Sequence, residues 1–332
     1  MKVSVIGGGA WGTTLAQVLL DNNHEVIVYD INADHIKSIN KRKHPFFKTK
    51  LPENIKATAN LKEALDFADI ILLSVPTKAI RTVLKEINTT INNKKLFVNV
   101  SKGIEPETTY LVSQICTEEI DQDKLEGFVC LTGPSHAEEV ILRKLTLLTA
   151  ASNNMNHAKK VQELFSNDSY LRVYTTKDLI GAEVGGAVKN AIAVVSGIST
   201  GLDLGENARA AIISRGILEV IRVVEVMGGK KETAFGLTGI GDLIVTASSN
   251  NSRNFQAGLQ IGQGVDIKDV SAKQNQTIEG IRTIEALHDL SVKNNIELPL
   301  INSAYLIINK KLNLKDAVPN LLSRDLKSED FH

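Results

Sequence analysis

Residues 2–12 read KVSVIGGGAWG, and the fold turns on them. Lys2 to Ile6 is a short β-branched run, and an apolar helical pattern through Leu15, Val18 and Leu19 follows the glycines, which gives strand, glycine loop and helix in succession. Gly7, Gly9 and Gly12 supply GxGxxG in that context: one glycine for the tight turn, one for backbone approach to a pyrophosphate, one for close helix packing. The helix that follows points its unbonded amides at the anion. Glu25 to Tyr29 (EVIVY) reads as a second strand ending in Asp30, roughly 20 residues past the loop, where an acidic side chain accepts hydrogen bonds from a ribose.

Strand and helix signals then alternate. Residues 61–68 are helical, 69–75 (DIILLSV) a fully buried strand, 79–87 helical and 96–100 (LFVNV) another strand. This predicts an α/β fold with a doubly wound, mainly parallel sheet, in which ligands bind beyond the carboxyl ends of the strands. The residues just past those ends are Pro76, then Ser101-Lys102-Gly103, then TGPSHAEE at 132–139. Lys102 puts a cation at the sheet edge; Gly133 opens a tight loop, Ser135 offers a hydroxyl, and a helix starts at about His136, a surface histidine. Runs at 145–151 and 170–174, with a helix over 157–165 between them, close the sheet, so a dinucleotide-binding domain is expected over residues 1–175.

From residue 176 to 332 helical periodicity replaces strand signals, which predicts a second, all-α domain. Its key stretch is AEVGGAVKNAIAVVSGISTGL, residues 182–202. Lys189 shares a nearly bare helical face with Ala182, Gly185, Gly186, Ala193, Ser196, Gly197 and Thr200, while Val184, Val188, Ile192 and Val195 read as the core stripe. Interior glycines weaken a helix, so a ligand or another helix must approach this backbone closely. A lysine in such surroundings loses hydration, which disfavours its charge and suits it to general acid–base work. The 208–227 helix has an apolar stripe of Ile213, Ile217, Val220, Val224 and Met227, with Arg215, Glu219 and Arg222 reading as a solvated strip on its polar side. Packing does not explain TGIGDLIVTASSNNSRN, residues 238–254, which places Asp242, Thr246, Ser252, Arg253 and Asn254 close together. A planar donor fork with neutral donors is the chemistry a phosphate monoester wants.

With 38 basic and 38 acidic residues among 332, the chain has no net field to favour nucleic acid or an anionic membrane, so any basic site must be local. Residues 182–202 are long enough to span a bilayer, but Glu183, Lys189 and Asn190 make a buried helix the better reading. Cys116 and Cys130 are the sole cysteines, without metal-ligand spacing, so neither a disulfide framework nor a metal is expected. No leader pattern precedes the first strand, and a cytoplasmic location is the expectation.

Taken together, GGGAWGTTLA, SKGIE, LTGPSHAEE, GGAVKNAIA, NARAAIISRG, LTGIGDL, NSRN and TIEG resemble the bacterial NAD(P)-dependent glycerol-3-phosphate dehydrogenases, in that family's order along almost the whole chain. The resemblance implies reversible hydride transfer between C2 of sn-glycerol 3-phosphate and NAD(H) or NADP(H), with glycerone phosphate as the ketone, and a role in supplying phospholipid synthesis. It implies that Lys189 is the proton acceptor and that Lys102 contacts both cofactor and substrate, its charge helping to lower the affinity of Lys189 for a proton. It implies a substrate set of Lys102, Gly133, Ser135, Lys189, Asp242, Ser252, Arg253 and Asn254. Ala10, Trp11, Ala137, Thr277 and Glu279 would join the glycine loop, Asp30, Lys102 and Arg253 on the cofactor. The chain departs from the family at His136, Leu145 and, with more consequence, at Asp30-Ile31, where many members carry a basic residue. A carboxylate there would repel a 2'-phosphate, so NAD(H) is the expected preference, against which Lys37, Lys41, Arg42 and Lys43 lie downstream. Two rivals share some of these features: a phosphogluconate-type 3-hydroxyacid dehydrogenase and a non-catalytic NAD(H)-binding redox sensor. The sequence leaves room for a homodimer.

Overall fold

A computed structural model describes residues 1–273, 278–326 and 329. The chain divides into two compact units, one of residues 1–102 and 110–183, the other of residues 103–109 and 184–332. The division falls between 183 and 184 rather than at the expected 175/176. Strand signals end there, but Leu179 and Ala182 belong to the same hydrophobic cluster as Ile71, Phe97 and Ile115.

The first unit runs β1 (Lys2–Ile6), α1 (Ala10–Asp21), β2 (Glu25–Tyr29), α2 (Ala33–Asn40), β3 (Lys56–Thr58), α3 (Leu61–Phe67), β4 (Ile70–Leu73), α4 (Thr77–Thr90), β5 (Lys95–Asn99), α5 (Val112–Glu119), β6 (Leu125–Thr132), α6 (Ala137–Val140), β7 (Thr146–Ala151), α7 (Met155–Phe165) and β8 (Leu171–Thr176). The strands form one eight-stranded sheet in the order β3-β2-β1-β4-β5-β6-β7-β8. Every pairing is parallel except β6 with β7. Alternation along β1 sends Val3 and Val5 into one core cluster and Ile6 into the other, as a strand covered on both faces requires. The three-residue β3, KAT, carries no apolar run and left no sequence signal. Ile6 pairs with Tyr29 and with Leu73, and Leu73 pairs with Asn99, so β2, β1, β4 and β5 end level. Gly7, Asp30, Ser74 and the chain leading to Lys102 therefore leave the same edge of the sheet.

The helix α8 (Leu179–Gly201) leads into the second unit, followed by α9 (Gly205–Val226), α10 (Lys231–Ala234), a π-helical turn (Leu237–Gly241), α11 (Asp242–Ala247), α12 (Arg253–Gly262), α13 (Ile267–Lys273), α14 (Glu279–Asn294), α15 (Pro299–Ile308) and α16 (Leu314–Leu322). Although α8 is long and apolar enough to cross a membrane, 94% of its most apolar window is buried inside the protein. Of the expected core stripe Val184, Val188 and Ile192 are buried and Val195 is half-buried, while the small-residue face is covered too, Gly197 included. The reason is a second helix at glycine range. A Cβ on Gly197 would stand 2.1 Å from the Phe255 carbonyl oxygen, and one on Gly201 2.3 Å from that of Leu259. Reciprocally, a Cβ on Gly258 would stand 2.0 Å from the Val194 carbonyl oxygen, and one on Gly262 2.3 Å from that of Ile198. Two GxxxG pairs thus let α8 and α12 cross backbone to backbone, which fixes where the start of α12 lies relative to Lys189.

Glu219 corrects the solvated-strip expectation for α9. It is 2% exposed, and its carboxylate accepts from the Leu300 and Ile301 amides at 2.6 and 3.2 Å, capping α15 in place of a local side chain. Burial pushes its carboxyl up to about 7, against the opposing effect of those two bonds. Arg222 donates to the Glu297 carbonyl oxygen at 2.8 Å, and Arg215 alone of the three is exposed.

Candidate active site

At the end of β1 the chain turns through Gly7 at φ +109°, where a Cβ would meet the Ser74 carbonyl oxygen at 2.5 Å. A Cβ on Gly12 would meet the Gly7 carbonyl oxygen at 2.0 Å, so α1 starts hard against the strand. Gly9 is the opposite case, with nothing within 4 Å of its would-be Cβ, and it caps α1 without a side-chain bond to the first amides. A tight turn, a tight packing contact and one open glycine at a helix N-terminus fit a dinucleotide pyrophosphate. Ala10 and Trp11 follow, both half-buried.

Asp30 lies where expected, but its carboxylate is engaged by the protein itself. Oδ2 accepts from the Gly8 amide at 2.7 Å, Oδ1 from the Asn32 amide at 2.7 Å, and His35 Nδ1 lies 3.2 Å from Oδ2. Asp30 therefore braces the glycine loop from the end of β2. The neighbouring Ile31 is 88% exposed. A second brace was not foreseen. His44 Nδ1 accepts from the Phe46 and Phe47 amides at 3.1 Å, which leaves the ring proton on Nε2 to face the Ala10 carbonyl oxygen at 3.2 Å. Burial pushes His44 down to about 4, so the ring is neutral at ordinary pH. Its only sequence signal was a histidine inside a basic run. That run is drawn back on itself by a bridge between Lys43 and Lys50.

On the same edge Lys102 Nζ donates to the Gly133 carbonyl oxygen at 3.1 Å, and the Ser135 hydroxyl donates to that same oxygen at 3.0 Å. Gly133 has φ +137°, with a Cβ direction closed by Leu147 and Leu148 at 3.2 Å, which is why the loop after β6 needs glycine. The structure brings these three predicted residues together. Ala137 is the first residue of α6, with His136 at the capping position.

In the second unit Lys189 is 7% exposed. Its Nζ lies 2.8 Å from Asp242 Oδ1 and donates to Thr246 Oγ1 at 2.7 Å. Asp242 is 1% exposed, and Thr246 in turn donates to the Asp242 carbonyl oxygen at 2.6 Å, so the threonine offers Nζ a lone pair. The expectation that burial and the charge of Lys102 disfavour the Lys189 ammonium did not include this carboxylate, an opposite charge that acts in the other direction. Ser252 caps α12, accepting from the Phe255 amide at 3.2 Å, and the exposed Arg253 opens that helix. Asn254 donates to Asn190 Oδ1 at 2.9 Å and accepts from the Gly280 amide at 3.0 Å, tying the residue after Lys189 to the start of α14. Of the 238–254 residues expected to cluster, Asp242 and Thr246 join Lys189, while Ser252 to Asn254 form the opening of α12. Glu279 is the first residue of α14; Thr277 lies outside the described residues. No group of three or more His, Cys, Asp and Glu placed to hold a metal occurs among the described residues.

Two family models match the chain: the N-terminal region of NAD-dependent glycerol-3-phosphate dehydrogenase over residues 2–158, and its C-terminal region over residues 178–319. A glycerol-3-phosphate dehydrogenase [NAD(P)+] of Acholeplasma laidlawii is 60% identical over 99% of this chain and 99% of its own. One from Listeria monocytogenes is 43% identical over 99% of this chain and 98% of its own. Among solved structures, the glycerol-3-phosphate dehydrogenase of Coxiella burnetii superposes with a TM-score of 0.90 at 36% identity, covering 97% of this chain and 99% of that one.

Proposed function

The chain belongs to the NAD-dependent glycerol-3-phosphate dehydrogenase family and interconverts sn-glycerol 3-phosphate and glycerone phosphate with NAD(P), and we propose that Lys189 carries the proton in that reaction. The observation that carries this reading is the buried contact of Lys189 Nζ with Asp242 and Thr246. In reduction the ammonium polarises the C2 carbonyl and delivers a proton to the forming alkoxide; in oxidation the amine takes the proton from O2. Asp242 and Thr246 fix Nζ and keep its charge favourable in a site nearly closed to water. Arg253, with Ser252 and Asn254, binds the phosphate, for which the guanidinium's planar fork is suited. Lys102, Gly133 and Ser135 contribute to the same substrate.

The nicotinamide cofactor, when bound, supplies or accepts the hydride. Gly7, Gly9 and Gly12 would form the loop that receives its pyrophosphate, with Ala10, Trp11, Asp30, Lys102, Ala137, Arg253, Thr277 and Glu279 as further contacts. Asp30 and the aliphatic Ile31 stand where a 2'-phosphate needs a cation, which supports a preference for NAD(H) over NADP(H). We further read the chain as a cytoplasmic enzyme that supplies glycerol 3-phosphate for phospholipid synthesis and works as a homodimer, with the unit of residues 1–102 and 110–183 as the cofactor domain and that of residues 103–109 and 184–332 as the substrate domain.

The test is NADH and NADPH oxidation with glycerone phosphate, side by side. NADH should be favoured about tenfold in kcat/KM, or ~1.4 kcal/mol, and Ile31→Arg should shift the ratio toward NADPH. A parent enzyme that prefers NADPH would refute the preference, and one that turns over neither cofactor would refute the activity.

A further inference from the structure

The turn that precedes Asp242 is π-helical. Its hydrogen bonds run from the Gly241 amide to the Gly236 carbonyl oxygen and from the Asp242 amide to that of Leu237, each five residues back. Such a turn holds one residue more than an α-helical one, and each residue of an α-helix advances the side-chain direction by roughly 100°. With α-helical bonding here, Asp242 would leave the helix on another side.

Contacts along α8 show what the extra residue achieves. A Cβ on Gly185 would stand 2.5 Å from the Thr238 carbonyl oxygen and 3.4 Å from Gly239 Cα, so the π turn lies directly on the α8 backbone. Four residues further along both segments, Lys189 meets Asp242, and beyond that Ser196 donates to the Ala247 carbonyl oxygen at 2.7 Å. The two segments run side by side, pinned at Gly185 and Ser196, with the ion pair between the pins. On its far side the turn is held equally tightly, because a Cβ on Gly239 would stand 2.0 Å from the Ala234 carbonyl oxygen.

We propose that this π turn is what aims Asp242 at Lys189, and that Gly185 and Gly239 are positioning residues for the pair because only glycine lets the turn sit against α8 and α10. The inference rests on the reading of Lys189 and Asp242 as the proton-handling pair. It makes Gly185 matter to turnover through a carboxylate it does not touch.

The test is the turnover of Gly185→Ala, Asp242→Asn and their double variant with glycerone phosphate and NADH. Gly236→Ala serves as the control, since its Cβ meets nothing closer than 3.4 Å. Displacing the turn by several tenths of an ångström to an ångström should lower kcat about thirtyfold to a hundredfold in Gly185→Ala. NADH affinity, read by fluorescence titration, should stay within about threefold, and Gly236→Ala should stay within about threefold in kcat. Because the loss passes through Asp242, adding Gly185→Ala to Asp242→Asn should cost less than about threefold more. A folded Gly185→Ala enzyme with parental kcat, or losses that multiply in the double variant, would overturn the inference. Normal turnover of Asp242→Asn itself would instead overturn the reading of the pair, and the inference with it. Should Gly185→Ala not fold, a crystal structure of the unmodified protein decides. Bonds from Gly241 and Asp242 reaching back five residues support the inference; α-helical bonding with the ion pair still formed overturns it.

Discussion

Replacing Lys189 by methionine should separate what this residue does for stability from what it does for chemistry. Lys189 and Asp242 form an ion pair at 2.8 Å, with side-chain exposures of 8% and 1%. Lys189→Met leaves the Asp242 carboxylate buried without its cation, and removing one partner of such a pair costs ~3–5 kcal/mol, less whatever Asp242 recovers by taking up a proton. Thr246 Oγ1 loses a donor as well, which adds to the same side. Adding Asp242→Asn removes the stranded charge, so the double variant should regain most of that stability. Activity should behave differently: kcat falls by at least about a hundredfold in Lys189→Met and does not return in the double variant, because no group remains to exchange the O2 proton. Urea unfolding and NADH oxidation on the same preparations give both quantities. A Lys189→Met enzyme with near-normal kcat would remove the lysine from the mechanism. A double variant no more stable than the single one would show that losing the lysine leaves no destabilising charge at Asp242.

The α8–α12 crossing makes a packing prediction: Gly258→Ala, with its Cβ 2.0 Å from the Val194 carbonyl oxygen, should lose ~1–3 kcal/mol in urea unfolding, and a variant as stable as the parent would mean the helices have room to part. The buried carboxyls make a pH prediction. Glu219 and Glu183 are both raised to about 7 by burial, so the stability linked to each is fully present below the ordinary carboxyl range and is lost as pH rises through 7. Unfolding free energy should therefore fall between pH 5 and pH 8, by as much as ~3 kcal/mol per group, and Glu219→Gln should remove about half of the fall; an unchanged slope in that variant would show that Glu219 does not titrate there.

What could be read in the sequence, and what could not, divides along the range of the interactions. GxGxxG was legible because its constraints are local: the φ of Gly7 and the contact of Gly12 on Gly7 lie within a few residues. The doubly wound sheet was legible because β4 and β5 are buried end to end and so read as continuous apolar runs. The short β3 was not, having neither length nor apolar content. Family resemblance chose the substrate; the residues alone left a phosphogluconate-type enzyme and a silent redox sensor standing, and the full-length matches to glycerol-3-phosphate dehydrogenases remove both. Glu219 was misread because an α9 helical wheel shows it among arginines, while the amides it caps are 81 and 82 residues away. Glu183 is likewise held at long range, its carboxylate accepting from the Ser113 amide and hydroxyl 70 residues earlier.

The small-residue face of α8 marks the limit most clearly. Its glycines announce that something must come close to the backbone, and two partners do: α12 at Gly197 and Gly201, and the π turn at Gly185. A period of three and four says that a face is bare but not what fills it. The ion pair depends on that second fact, since the element filling the face at Gly185 is the one that leads into Asp242 beside Lys189. A buried lysine can thus be recognised from its own helix, whereas the carboxylate that pairs with it becomes visible only when the partner segment's register is known.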